Sequence, residues 1–158
     1  MSVVNVIFAG LGGQGILKGT DILGEVLFEK GFDVKKSEVH GMSQRGGSVS
    51  SEVRYGEKVF SPMIPRGEAD FLIVLDETQV EVNIEKLKQG GVLISPKSVP
   101  ADKLANPKAL NIMLLGALSA YLKDIELDAF LGALKMFLPE KLYAMNEEAF
   151  LLGRNSVK

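Results

Sequence analysis

The N-terminal part of this chain combines an apolar run, a glycine-rich turn and an amphipathic stretch, in that order. The run Val3–Ala9 is rich in β-branched residues, which is typical of a strand buried on both faces of a sheet. It leads into Gly10–Gly15, and apolar side chains then recur at helical spacing as far as Lys30. A strand, a glycine turn and a helix in this order open an α/β fold, and this start limits what the rest of the chain can form.

The rest of the chain continues the α/β pattern. Further strands are predicted at Phe32–Lys36, Ser48–Tyr55, Val59–Ser61, Phe71–Leu75 and Val92–Ile94. The turn signal Gly56-Glu57-Lys58 predicts that the second and third of these form a hairpin. After an irregular stretch over 97–110, we expect helices, one ending at Pro139 and a short one from Asn146 to Gly153. We therefore predict one domain over residues 1–158, a three-layer α/β/α fold with a mixed, mainly parallel Rossmann-like sheet and a helical C-terminal part.

Composition excludes several kinds of chemistry. The 158 residues include no cysteine and one histidine, so they offer no disulfide, no thiolate ligand and no cysteine-held iron–sulfur cluster. Lys and Arg number 18 against 20 Asp and Glu, and a net charge of −2 does not favour nucleic acid or an anionic membrane. The longest uncharged run, Ala109–Leu122, is shorter than the roughly 20 residues of a membrane helix, so it predicts a buried core helix. The N-terminus carries no basic leader, and we expect a cytoplasmic protein.

The glycines of the first turn match the spacing Gly10-x-Gly12-x-x-Gly15 of dinucleotide-binding turns, between a strand and a helix. Glycines let the backbone approach a pyrophosphate, which then lies at the helix N-terminus. An NAD site would place an acidic residue about 20 positions later, but Lys35 and Lys36 stand there. These lysines argue against NAD and for a phosphorylated ligand. The alternative is a tight turn that binds no ligand.

A second glycine-rich cluster, Gly41–Gly47, combines a guanidinium, an amide and a hydroxyl group, which suits a phosphate or carboxylate. The alternative is a solvated loop that docks against a partner, and His40 beside it is interpreted as a structural or interface residue. No nucleophile–base pair or acidic metal cluster is found, so no catalytic or metal-binding residue is predicted. The candidate cofactor-binding residues are Gly10, Gly12, Gly13, Gln14, Gly15, Met42, Ser43, Gln44, Arg45, Gly46 and Gly47.

Several segments together resemble one known family. They are Gly10–Gly15, Gly41–Arg54, Gly67–Asp70, Asn111–Leu118 and Asn146–Gly153. In this order they resemble the gamma-type subunit or domain of 2-oxoacid:ferredoxin oxidoreductases. The Met-Ser-Gln-Arg-Gly-Gly version of the second cluster is most similar to the beta (small) subunit of indolepyruvate ferredoxin oxidoreductases. The resemblance extends over nearly the whole chain.

The resemblance implies a non-catalytic subunit of a larger enzyme. That family oxidatively decarboxylates a 2-oxoacid to an acyl-coenzyme A and passes the electrons to ferredoxin. Thiamine diphosphate, magnesium and the iron–sulfur clusters would then lie on a large partner subunit. Gly10–Gly15 and Ser43-Gln44-Arg45 become candidate contacts for coenzyme A, although the same loops could face the partner's cofactor site. The chain also looks shorter at its C-terminal end than many small subunits of that family.

Two alternatives remain open from the sequence. One is a free-standing nucleotide-binding enzyme, either a reductase or an adenylating enzyme, since a Gly-x-Gly-Gly-x-Gly turn also occurs there. The lysines near the ribose position count against the reductase, and the absence of cysteine weakens the adenylating version. The other is a pure scaffold domain whose glycine loops only pack against a partner.

Replacing Arg45 with Ala in the assembled complex distinguishes ligand binding from a scaffold role. We expect a raised KM for coenzyme A with the complex intact, equivalent to about 1.5–3 kcal/mol for one charge-assisted hydrogen bond. Steady-state kinetics and size-exclusion chromatography measure the two quantities. An unchanged KM together with a dissociated complex would support the scaffold.

Overall fold

The computed structural model describes residues 2–40 and 47–157. Its strands are β1 (Val4–Leu11), β2 (Asp33–His40), β3 (Ser48–Gly56), β4 (Ala69–Val74) and β5 (Leu87–Ile94). Its α-helices are α1 (Ile16–Glu29), α2 (Val80–Asn83), α3 (Leu110–Ser119), α4 (Leu127–Phe137) and α5 (Glu140–Ser156). Short 3₁₀ turns occupy Glu77–Gln79, Ile84–Lys86, Pro96–Ser98, Ala101–Lys103 and Pro107–Ala109.

The strands form one mixed sheet in the order β2-β3-β1-β4-β5. β1, β4 and β5 run parallel, whereas β3 runs antiparallel to both of its neighbours, β2 and β1. The predicted α/β class and the mixed sheet are confirmed. The predicted hairpin is wrong, because β3 pairs with β2 and the stretch Val59–Ser61 forms no strand. The backbone N–H of Val59 instead donates to the carboxylate of Asp33, at 2.8 Å.

The two faces of the sheet are covered by different elements and to a different extent. On one face, side chains such as Phe8 and Val53 join a large core with α1, α3, α4 and α5. On the other, which we call the back face, a small core around Leu72 is covered by Ile64 and Val80. The third layer is therefore present but thin, since it consists of the short helix α2 and the segment 57–66.

Two side chains of β3 hold the segment 57–66 against the back face. The Arg54 guanidinium donates to the carbonyl oxygens of Ser61 and Met63, at 2.8 and 2.9 Å. The Glu52 carboxylate accepts from the backbone N–H of Ile64, at 3.1 Å. These contacts explain why a stretch without regular structure can serve as a cover.

Several predicted helix boundaries differ from the structure. The spacing of Val80, Ile84 and Leu87 predicts one helix, but the helix ends at Asn83 and Leu87 already begins β5. The C-terminal helix is longer than expected, because Asn146 lies within it rather than at its start. The Asn146 amide is buried and donates to the carbonyl of Leu142 one turn earlier, at 2.9 Å, so it does not cap a helix.

The predicted core helix is confirmed as α3, which is buried from Asn111 to Ser119. It lies in close contact with α5 through two glycines. A methyl group at Gly116 would overlap the carbonyl of Phe150, and one at Gly153 would overlap the carbonyl of Met113. These glycines belong to the segments Asn111–Leu118 and Asn146–Gly153 that carried the family resemblance, so this part of the resemblance has a packing explanation. Within the described ranges, none of the helices has the length and apolar character needed to span a bilayer.

The contact between α3 and α5 can be tested with glycine-to-alanine variants. Gly116→Ala or Gly153→Ala should lower the free energy of unfolding by about 1–3 kcal/mol, because the added methyl group overpacks the contact. Gly132 is the matched control, since it lies exposed within α4 and has no atom within 4 Å of an added methyl group. Gly132→Ala should raise stability by up to about 1 kcal/mol through helix propensity. Urea denaturation of the three variants measures this, and equal effects at all three positions would contradict the packing explanation.

Candidate functional site

The glycine turn and the last residue of the second glycine-rich motif, Gly47, meet at one edge of the sheet. Because β3 is antiparallel to β1, the start of β3 lies beside the end of β1, with Leu11 opposite Ser48. The backbone N–H of Gly12 donates to the carbonyl of Gly47, at 2.9 Å. The structure therefore brings the middle of the first predicted motif next to the last residue of the second. The remaining predicted residues of the second motif, Met42, Ser43, Gln44, Arg45 and Gly46, lie outside the described residues.

The turn between β1 and α1 depends on two glycines with left-handed backbone. Gly13 has φ 89° and Gly15 has φ 82°, a region that residues with a side chain adopt at a cost. A methyl group at Gly13 would face open space, whereas one at Gly15 would overlap the side-chain amide of Asn111. That amide donates to the carbonyl of Gly15, at 3.2 Å. Gly15 thus allows α3 to pack against the turn. At Gly13, the side of the turn where a side chain would stand is open.

Both polar atoms of the Gln14 side-chain amide form hydrogen bonds within the fold. Its Oε1 accepts from the backbone N–H of Leu11 at 2.7 Å, and its Nε2 donates to Oδ2 of Asp76 at 3.0 Å. A methyl group at Gly10 would lie 2.6 Å from Oε1 of Gln14, so Gly10 makes the room that this side chain occupies. Among the predicted contacts that the structure describes, Gln14 therefore has both ends of its amide bonded within the fold, while its side chain also lines the hollow toward α3.

Asp76 follows β4 and is the residue that sequence reasoning missed. Its Oδ1 accepts from the backbone N–H and the hydroxyl of Thr78, at 3.0 and 2.6 Å. Those two hydrogen bonds, and then the one from Gln14, hold the pKa of Asp76 below its ordinary value. The carboxylate is thus ionised at neutral pH. Its place directly after a buried parallel strand is the signal that could have identified it, because ligands of α/β sheets bind at that edge.

Gln79 completes the connection between the three strand ends. Its Oε1 accepts from the hydroxyl of Ser48 at 2.7 Å, and its backbone N–H donates to the carbonyl of Asp76 at 2.8 Å. These bonds close a circuit that we call the hydrogen-bond ring. Its members are Leu11, Gly12, Gln14, Gly47, Ser48, Asp76 and Gln79.

Two hollows flank the glycine turn. One, of about 320 Å³, lies toward α3 and has Lys108 on its wall. The other, of about 300 Å³, lies between the turn, Val49 and the first residues of α1, and includes Lys18. The ammonium group of Lys18 donates to the carbonyl of Phe137 at 3.2 Å, while Lys108 is exposed. Glycine backbone, a helix N-terminus and two lysines form a combination that suits an anionic ligand.

Other basic residues near these motifs are paired elsewhere in the fold. Lys36 forms an ion pair with Asp21, and Lys35 forms one with Asp33, at 3.0 Å. Lys36 lies opposite Val53 on β3, well back along the sheet from the glycine turn. The two lysines that stood near the ribose position in the sequence therefore do not reach the turn, and they give no support for a phosphorylated ligand.

Comparisons with known proteins give a consistent result. A family model described as pyruvate ferredoxin/flavodoxin oxidoreductase matches residues 5–156. Indolepyruvate oxidoreductase subunit IorB of Thermococcus kodakarensis is 30% identical over the whole chain and 98% of its own length. The gamma subunit of a keto/oxoacid ferredoxin oxidoreductase from Geobacter sulfurreducens has the same fold, with a TM-score of 0.80, 23% identity and 97% of each chain covered.

A longer protein contains the same fold as one part. It is a 2-oxoglutarate:ferredoxin oxidoreductase from Magnetococcus marinus, with 2-oxoglutarate, coenzyme A and succinyl-CoA bound. The match has a TM-score of 0.79 and 21% identity and covers 99% of this chain but 31% of that one.

This chain is shorter than its archaeal relative. The alignment with IorB spans 197 positions against 158 residues here, so at least 39 positions (197 − 158) have no counterpart in this chain. Because the match covers 98% of the relative, these positions lie within the aligned range rather than beyond its end.

The two left-handed glycines provide a test of the turn. Gly13→Ala should lower the free energy of unfolding by about 1–2 kcal/mol, the strain of a left-handed residue with a side chain. Gly15→Ala should lose about 1–3 kcal/mol more, because its methyl group also displaces Asn111. Chemical denaturation of both variants measures the difference. Equal losses would show that Gly15 is not required for the approach of α3.

Proposed function

Because this chain belongs to the pyruvate ferredoxin/flavodoxin oxidoreductase family, we propose that it is the small, non-catalytic subunit of a 2-oxoacid ferredoxin oxidoreductase. The full-length match to an indolepyruvate oxidoreductase subunit supports indolepyruvate, or an arylpyruvate like it, as the substrate class. The complex would oxidatively decarboxylate this 2-oxoacid, form an acyl-coenzyme A and pass the electrons to ferredoxin. The cytoplasmic location expected from the sequence belongs to the same proposal.

A division of labour between two chains follows from the composition. Iron–sulfur clusters are held by cysteine thiolates, and the sequence contains no cysteine. We infer that the clusters, thiamine diphosphate and its magnesium ion lie on a larger partner subunit. The role of this chain is then to complete the enzyme and to provide a binding surface.

The glycine turn is the part of this chain that we assign to coenzyme A. The coenzyme carries a pyrophosphate and a ribose phosphate, and such groups bind to helix N-termini and to lysine side chains. The turn offers the open side of Gly13 and the N-terminus of α1, with Lys108 and Lys18 on the walls of the two hollows. The single observation that carries this assignment is the convergence of the turn, the start of β3 and both hollows at one edge of the sheet.

A scaffold role is the second candidate, and a specific observation favours it. Both ends of the Gln14 amide are bonded within the fold, and Gly15 is needed for the contact with Asn111. Both residues would be required even in a turn that binds no ligand. Assembly of the complex and binding of coenzyme A therefore require separate experiments.

Assembly is tested by expressing this chain together with the thiamine-binding large subunit from the same organism. We expect a single complex that reduces ferredoxin in the presence of a 2-oxoacid and coenzyme A. The large subunit alone should be less active under the same conditions. If the two chains never associate and the large subunit alone has full activity, the proposed function is wrong.

Ligand binding is tested by Lys108→Ala in the assembled complex. We expect the KM for coenzyme A to rise about two- to fivefold, as for an exposed ion pair, and to depend less steeply on salt. Lys123→Ala is the matched control, because Lys123 is also exposed but lies beyond the opposite end of α3. Equal KM values for both variants and the wild type would favour the scaffold role.

A further inference from the structure

We propose that Gln14 and Asp76 are a pair of positioning residues, whose mutual hydrogen bond fixes the backbone of the glycine turn for coenzyme A. This inference rests on the proposed function, since it concerns the same turn. It differs from the sequence-based expectation, in which the Gln14 amide acts only as a contact: both ends of this amide are bonded within the fold, and the side chain also lines the hollow toward α3.

The geometry leaves the Gln14 amide little freedom. It links the backbone N–H of Leu11, at the end of β1, to the carboxylate of Asp76, at the end of β4. Leu11 precedes the glycines whose backbone faces the two hollows. The side chain thus spans the base of the turn and fastens it to a neighbouring strand.

The glycines of the turn explain why its backbone needs to be held by the hydrogen bonds of Gln14. Gly12, Gly13 and Gly15 give the turn far more accessible backbone conformations than residues with side chains would. Ordering such a segment on binding costs conformational entropy and weakens the affinity for a ligand. A turn already held in one conformation by Gln14 loses less entropy when the ligand binds.

The direction of the hydrogen bonds fixes the orientation of the amide. A carboxylate only accepts hydrogen bonds, so Asp76 requires the Nε2 side of Gln14, and the Leu11 N–H requires the Oε1 side. The Asp76 carboxylate is held in turn by Thr78, through both its backbone N–H and its hydroxyl. In this pair Gln14 is always the donor and Asp76 always the acceptor. A double substitution that exchanges the two roles should therefore preserve the hydrogen bond between positions 14 and 76.

This property gives a sharp experiment in the assembled complex. Gln14→Glu sets two carboxylates against each other. Asp76→Asn leaves one oxygen where Gln14 and Thr78 each require an acceptor, so one of these two contacts faces an amide N–H instead. The double variant Gln14→Glu/Asp76→Asn restores one donor and one acceptor with the net charge of the wild type. We expect the KM for coenzyme A to rise about fivefold or more in each single variant, and to return to within about twofold of wild type in the double variant. The kcat at saturating coenzyme A should change much less.

The Asp76→Asn variant distinguishes a positioning role of Asp76 from a direct electrostatic effect of its charge on the ligand. Removing a negative charge near an anionic ligand should by itself lower the KM, whereas loss of the fastened turn should raise it. Gln89→Glu on the exposed edge strand β5 is the control for an added charge and should leave the KM unchanged. If Gln14→Glu does not assemble, Gln14→Met removes both hydrogen bonds without adding charge and should raise the KM in the same direction.

Three results would overturn the inference. One is a reduced melting temperature with an unchanged KM for coenzyme A in the single variants, which would indicate a merely structural role. Another is a double variant that shows no recovery. The third is a wild-type complex whose rate does not depend on coenzyme A, and this result alone would also overturn the assignment of coenzyme A to the turn.

Discussion

The reversed direction of β3 is the constraint on which the candidate site depends. In a sheet whose strands all run the same way, the start of one strand and the end of its neighbour lie at opposite edges. Here β3 is inserted antiparallel between β2 and β1, so that Gly47 lies beside Gly12 and its carbonyl accepts the hydrogen bond from the Gly12 N–H in the hydrogen-bond ring. Gly12 and Gly47 are 35 positions apart in sequence (47 − 12), and the direction of β3 makes them neighbours. The hydrogen bonds of Ser48 and Gln79 then join the same edge to β4.

The helical C-terminal part contributes to the site through α3. Its close contact with α5 at Gly116 and Gly153 fixes how α3 lies on the sheet. With α3 in that position, Asn111 in its first turn reaches the carbonyl of Gly15, and Lys108 comes to the wall of the adjacent hollow. Sequence segments far from the glycine turn thus have their effect on it through packing. These segments determine where α3 lies beside the site, and the glycine turn provides the backbone groups of the site.

Local patterns were sufficient to predict β1, the glycine turn, α1 and the buried helix α3. They were not sufficient to predict which strand pairs with β3. Gly56-Glu57-Lys58 is an adequate turn signal for a hairpin, but the backbone N–H of Val59 donates to the carboxylate of Asp33, which is distant in sequence. The role of Gln14 was hidden for a similar reason. Its partner Asp76 is 62 positions away, and a polar side chain within a glycine turn has the same appearance in the sequence whether it faces a ligand or a neighbouring strand. Pairings of this kind depend on topology, which short-range patterns do not contain.

The unequal cover of the two faces has a consequence for local unfolding. On the helical face a large core protects β1 and β3, whereas the back face has five buried apolar residues, and its cover consists of the short helix α2 and the segment 57–66. That segment exposes Phe60 and Met63, and its backbone is held by the side chains of Arg54 and Glu52. Regions with few buried contacts open at lower free energy than the global core. Amide hydrogens of this cover should thus exchange with solvent while those of β1 and α3 remain protected, and the back face becomes the part of the domain that opens first.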